Sequence, residues 1–211
     1  MTPDPAHDPG PPGDPRPGTR ERLVQAMSRA LQQRGYHGVG LAELLAEAEA
    51  PKGVLYHHFP GGKQALAVAA IEATAAHITA SLDRLVASRA DPLPTLAGWL
   101  ALAQGQLERS GFERGCPLAT VALETTAADG PVRAALATAF GGIRLRLAQL
   151  LASAGVAAPR ADGLAALVVA AYEGALLQAR VAGSGAPMAA AAEALLSLLQ
   201  HEITSARRSP P

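Results

Sequence analysis

Helix breakers, more than any other feature, limit what the first third of this chain can build. Gly35, Gly38 and Gly40 interrupt one stretch, Pro51 another and Pro60-Gly61-Gly62 a third, so helices between them are held to a few turns. Between the breakers the apolar residues keep a helical period. Leu23, Ala26, Met27, Ala30 and Leu31 recur on one face up to Gly35, with Thr19 as the expected N-cap. Leu41, Leu44, Leu45 and Ala48 repeat the pattern over two turns. A third segment opens at Pro51, a residue suited to a first helical turn, and must stop before Pro60. Three short helices, the last two joined by a tight turn, form a helix-turn-helix arrangement.

After Lys63 the breakers thin out. Leu66, Ala70, His77, Ile78, Leu82 and Val86 mark one long helix ending near Arg89, and further helices are expected over 92–109, 117–126, 131–154, 160–182 and 187–206. Alanine supplies much of the 49% apolar content and only 3% is aromatic, which favours helix and leaves no segment that needs to be a strand. The expected fold is all-α, with an N-terminal helix-turn-helix unit over 19–65 and a C-terminal helical unit over 66–206. Residues 1–18, with seven prolines and three glycines, are expected to be a disordered tail, and 207–211 a second tail. One cysteine, no signal-like N-terminus and no unbroken apolar run near ~20 residues predict a soluble cytoplasmic protein with no membrane partner.

Net charge is zero, so a polyanion could be met only by a local patch. Between Thr19 and Lys63 six basic residues stand against four acids, and both lysines of the chain, Lys52 and Lys63, lie here. The stretch APKGVLYHHFPGGK concentrates the relevant chemistry. On a helix from Lys52, residues Lys52, Gly53, Tyr56 and His57 share one face while Leu55 and Phe59 point inward. Lys63 and Arg20 can supply charge to a phosphate backbone, and Tyr56 and the histidines can donate directional hydrogen bonds. Lys52, His57 and Val54 are placed for base edges, the valine methyls suiting a thymine methyl. Adjacent histidines on one helix diverge by about 100°, and no cysteine or carboxylate stands at ligand spacing, so no metal site is expected. No catalytic constellation or nucleotide-binding glycine loop is present. Glu108, Glu113, Glu124 and Glu173 are scattered and read as solvated helix surface.

The run GYHGVGLAELLAEAEAPKGVLYHHFPGGKQAL, Gly35 to Leu66, resembles the DNA-binding domain of TetR/AcrR-type bacterial transcriptional repressors. The double glycine before Lys63, and GCPLATVALE over 115–124, resemble the LmrA/YxaF-like branch. The resemblance implies double-stranded DNA as partner, with phosphate contacts at Tyr56, His58 and Lys63 and base contacts at Lys52, Gly53, Val54 and His57. It also implies a homodimer on a palindromic operator and a small hydrophobic effector whose binding shifts the long connecting helix and spoils half-site spacing. No cofactor is implied. Three positions depart from the family pattern: Glu49 stands at a turn position that is usually glycine, Val39 replaces a threonine, and Val54 replaces a serine or threonine.

In the C-terminal unit, abundant alanine and glycine leave room for a cavity, and Trp99, Leu102, Gln106, Cys116, Phe140, Arg144 and Tyr172 are its candidate lining. Cys116 precedes a helix and follows Arg114, surroundings that can lower a thiol pKa, although a lone cysteine more often packs as a small apolar side chain. The last two helices are apolar over more than one face, which calls for cover from a second subunit. A helical sensor or adaptor without DNA binding and a Cys116-dependent redox sensor remain as alternatives.

Overall fold

The computed structural model describes residues 17–88 and 91–208. Of the expected tails only 17–18 and 207–208 are among the described residues, and Arg207 and Arg208 continue the last helix. The described residues form α1 (Thr19–Arg34), α2 (Leu41–Glu47), α3 (Lys52–His58), α4 (Gly62–Ser88), α5 (Pro92–Arg109), α6 (Pro117–Glu124), α7 (Gly130–Ser153), α8 (Ala158–Ala182) and α9 (Ala186–Arg208), with no strand among them. The breakers set the boundaries almost everywhere. One cap differs: Gly18 takes the N-cap position of α1 and makes no side-chain cap, while the Thr19 hydroxyl lies inside the first turn and accepts from Arg22 at 3.4 Å. Pro51 is likewise the N-cap residue of α3 rather than its first helical residue.

Leu23, Met27 and Leu31 of α1 meet Leu44 of α2, Leu55 of α3 and Leu66 of α4 in one buried cluster. Arg22 closes its rim. Its guanidinium donates to the carbonyls of Ala48 at 3.1 Å and Glu49 at 3.4 Å, satisfying acceptors that the end of α2 leaves free. Arg29 pairs with Glu47 at 2.7 Å, and Arg34 pairs with Glu43. Half of the basic residues counted in the sequence are therefore committed to holding the unit together.

Glu49 in the α2–α3 turn has φ +49°, a left-handed conformation that costs a non-glycine residue about 1–2 kcal/mol. Glu49→Gly is expected to raise stability by up to about 1 kcal/mol, glycine's greater unfolded entropy offsetting part of the relief. A shift in the thermal midpoint of no more than a few degrees upward, with unchanged helicity, is the result to look for; a fall would remove the strain argument.

Helix α4 leaves this unit and runs along α7, while α1 packs on α4 and α6. Helices α7, α8 and α9 follow as neighbours, and α5 packs on α8 and α9. Long stretches of α4 (Gly62–Arg84) and α8 (Ala158–Ala182) are apolar enough by composition to match a membrane span, a length hidden from a search for unbroken runs because isolated charges interrupt it. Both pack along other helices of the bundle. Leu167, Leu177 and Val181 on α8 stay exposed.

Candidate nucleic-acid interface and cavity

Helix α3 is a seven-residue segment with one buried side chain, Leu55. Too short to persist alone, it is held because Leu55 and, at its C-cap, Phe59 are sunk into the α1–α2 core. That anchoring fixes its rotation. Lys52, Gly53, Tyr56 and His57 are exposed, with Tyr56 at 48%, while Val54 and His58 are half-buried. The two imidazoles meet edge to face at 5.1 Å. Beyond its own stretch of helix nothing lies within 4 Å of where a Gly53 Cβ would be, so the backbone there can be approached closely.

Two flanking cations rest on aromatic rings. The Arg20 guanidinium lies 5.2 Å from the Phe59 ring, and the Lys63 ammonium lies 5.0 Å from the Tyr36 ring. Lys63 is half-buried, and its partial burial lowers its pKa against the raising influence of Glu124. Gly62 has φ +61°, and a Cβ there would come 3.3 Å from Tyr56 Cε1, so the glycine serves both the turn and the seat of the tyrosine ring. All eight residues proposed from sequence for DNA contact thus gather around one end of the molecule, five of them exposed.

The other feature is a cavity of about 930 Å³ between α1, α4, α5, the start of α6 and α8. Trp99, Leu102, Gln106, Cys116 and Tyr172 line it, with the Trp99 and Tyr172 rings 4.5 Å apart. Phe140 and Arg144 are not brought there. They sit on α7, Phe140 half-buried against the core and Arg144 exposed, and α7 contributes no residue to the cavity lining.

Of the two readings of Cys116, the structure agrees with the packed one. It is buried, and burial together with the neighbouring Glu173 carboxyl pushes its thiol pKa up, outweighing the hydrogen bonds from the first turn of α6 that act to lower it. A thiol kept protonated is a poor nucleophile, so the packing role is favoured over redox chemistry. Glu173 was read as solvated surface. Instead its Oε2 is buried without a hydrogen-bond partner, its carboxyl neighbours the Cys116 thiol, and burial raises its pKa from 4.5 to about 7. Its signal in the sequence was an isolated acid in the otherwise uncharged run from Gly163 to Ala179.

Because burial favours the protonated form of this acid in the folded state, Glu173 favours folding fully below its unfolded pKa of 4.5, and that contribution is lost as pH rises through about 7. Glu173→Gln removes the dependence while keeping a polar side chain of the same shape beside the thiol. The variant is expected to match the wild type near pH 4 and to exceed it by roughly 3 kcal/mol above pH 7, measurable by denaturant titration across that range.

Two segments of the chain each match a known family. Residues 23–70 match "Bacterial regulatory proteins, tetR family", and residues 92–194 match "Transcriptional regulator LmrA/YxaF-like, C-terminal domain". The chain is 30% identical over 170 residues to the HTH-type transcriptional regulator LmrA of Bacillus subtilis, covering 81% of this chain and 90% of that protein. This chain belongs to the TetR family, in its LmrA/YxaF-like branch. The HTH-type transcriptional repressor NemR of Escherichia coli is 31% identical over 134 residues, which are 63% of this chain and 67% of that one. The crystal structure of regulatory protein TetR from Rhodobacter sphaeroides superposes with TM-score 0.77 at 29% identity, covering 85% of this chain and 97% of that one. The TetR-family assignment makes the chain a DNA-binding transcriptional regulator rather than an enzyme, with an N-terminal DNA-binding domain and a separate C-terminal domain.

Proposed function

We propose that this TetR-family regulator is a cytoplasmic, ligand-responsive repressor that binds a palindromic operator as a homodimer. Residues 19–65 act as the DNA-binding domain, and 66–206 as the effector-binding and dimerisation domain. The observation that carries the reading is the exposed face of α3, where Lys52, Gly53, Tyr56 and His57 stand opposite the buried Leu55 and Phe59. Lys52, Gly53, Val54 and His57 meet base edges in the major groove, and Arg20, Tyr56, His58 and Lys63 meet phosphates. The similarity to a protein named as a repressor supports the direction of regulation.

The cavity beside Trp99, Leu102, Gln106, Cys116 and Tyr172 takes a small hydrophobic effector. Helix α4 borders that cavity through His77 and Ile78 and begins beside the DNA-contacting end, so a ligand that moves α4 changes the separation of two recognition helices. The exposed Leu167, Leu177 and Val181 on α8 support a dimer built on the last two helices.

Selection of bound duplexes from a random pool tests this reading. An inverted repeat with half-sites an integral number of helical turns apart is expected, with affinity falling steeply as salt rises. Recovery of sequences without an inverted repeat, or binding insensitive to salt, would overturn it. Trp99 is the only tryptophan in the chain, so quenching of its fluorescence by hydrophobic compounds, together with their release of the selected duplex, identifies effectors.

A further inference from the structure

The loop between α1 and α2 is gripped from outside the DNA-binding domain. Glu124, the last residue of α6, accepts the backbone N–H of His37 through Oε2 at 3.0 Å. Its carboxylate also lies over Gly35, where φ is +67° and a Cβ would fall 1.6 Å from Glu124 Oε1. No side chain fits at position 35 while the carboxylate stays there. Asp129, the single buried charged residue among those described, accepts from the backbone N–H and hydroxyl of Thr126 at 2.8 and 2.9 Å and stands 3.4 Å from His37 Nε2. Between these points Tyr36 is buried, its ring edge-on to His37 at 5.0 Å. One residue of the DNA-binding domain is therefore held at its backbone by one carboxylate and at its side chain by another, both from the α6 end and the turn that follows.

This grip has a mechanical meaning. Besides the continuous chain through α4, the DNA-binding domain touches the C-terminal body chiefly through α1 against α4 and α6. Packing of α1 on two helices, with Arg180 of α8 donating to the Gln33 carbonyl at 3.4 Å, leaves the far side of the domain free to tilt, and the hydrogen-bonded attachment at the α1–α2 loop limits that tilt. Successive base pairs are spaced by about 3.4 Å and turned by about 35°, since a turn of about 34–36 Å holds 10–10.5 pairs. A small rotation of the domain is therefore enough to change which spacing two recognition helices can span.

We propose that Glu124 and Asp129 are positioning residues that clamp His37, and that this clamp determines the half-site spacing the dimer accepts. The proposal rests on the reading of the protein as a dimer on an inverted repeat. Neither residue touches DNA. Glu124 acts by holding a loop, so a glutamine, whose side-chain oxygen still accepts the His37 N–H, preserves the function, whereas alanine does not.

The test uses the full-length protein and three duplexes: the inverted repeat selected by the wild type, the same repeat lengthened by one base pair at its centre, and a single half-site. Wild type is expected to discriminate strongly against the lengthened duplex. Glu124→Ala should lose about tenfold affinity for the selected repeat, in line with a lost hydrogen bond to a charged group, and should bind the two repeats within a few-fold of one another. Its half-site affinity should equal that of the wild type, and Glu124→Gln should restore the discrimination.

If the wild type itself ignores the added base pair, the inverted-repeat reading fails. If the wild type discriminates and Glu124→Ala does so equally, the clamp is refuted while that reading stands. A loss of half-site affinity in Glu124→Ala would mean that the carboxylate merely supports the domain's fold, and a gain would mean that it acts by restraining Lys63. Either outcome also overturns the clamp.

Discussion

Leu55→Ala is expected to cost about 2–5 kcal/mol of stability and to reduce operator affinity by at least about a hundredfold, with the C-terminal helices intact. Leu55 is completely buried and is the one buried residue of α3. Seven residues cannot sustain a helix without tertiary support, and the contacts of α3 with α1 and α2 are few. Removing three methyl-sized groups from that anchor leaves a cavity under the recognition face in a domain whose own stability is small. Far-UV circular dichroism should fall only slightly, because most helical residues lie outside this domain. Tyr56→Ala supplies the contrast. Its exposed side chain can be removed with little effect on thermal unfolding, yet affinity should drop. Wild-type binding by Leu55→Ala would mean that α3 is not held as the structure indicates.

The second large effect is expected from Lys52→Ala, and it differs in kind from that of Lys63→Ala. Lys52 is exposed at the start of α3. Losing its contact with a base edge should cost about 1–3 kcal/mol per half-site and relax preference at one operator position, while binding to unrelated DNA changes little. Lys63 reaches the same end of the molecule from the first turn of α4, supported by the Tyr36 ring. Its removal should weaken binding to every sequence and reduce the salt slope by about one per subunit. Measuring both variants on the selected operator and on a scrambled duplex, each at several salt concentrations, separates the roles. Equal losses on both duplexes for both variants would cancel the assignment of Lys52 to base reading.

Much of the architecture was legible because helix punctuation and periodicity are local. Gly35, Pro51 and Pro60-Gly61-Gly62 end or start helices wherever they occur, and the four-residue spacing of Leu55 and Phe59 sets the face of α3 regardless of what covers it. The error at Thr19 is equally local: glycine and threonine both suit an N-cap, and neighbouring candidates differ by one residue. Charge was harder to read. Arg22, Arg29 and Arg34 counted toward the local excess of basic residues but hold the helices of their own domain. Proximity to the first turn of α6 suggested a lowered thiol pKa for Cys116, whereas burial and Glu173, 57 positions along the chain by their numbers, raise it.

By itself the sequence determined the helical class, the short helices of the DNA-binding domain and the face that α3 turns outward, since each depends on residues within a few positions of one another. Only the tertiary structure decided which acids are buried, which of the large C-terminal side chains share a cavity, and that Glu124 reaches His37 across 87 positions of chain. Such encounters depend on how helices stack, and stacking is governed by the fit of whole surfaces, which leaves no periodic trace in the order of residues.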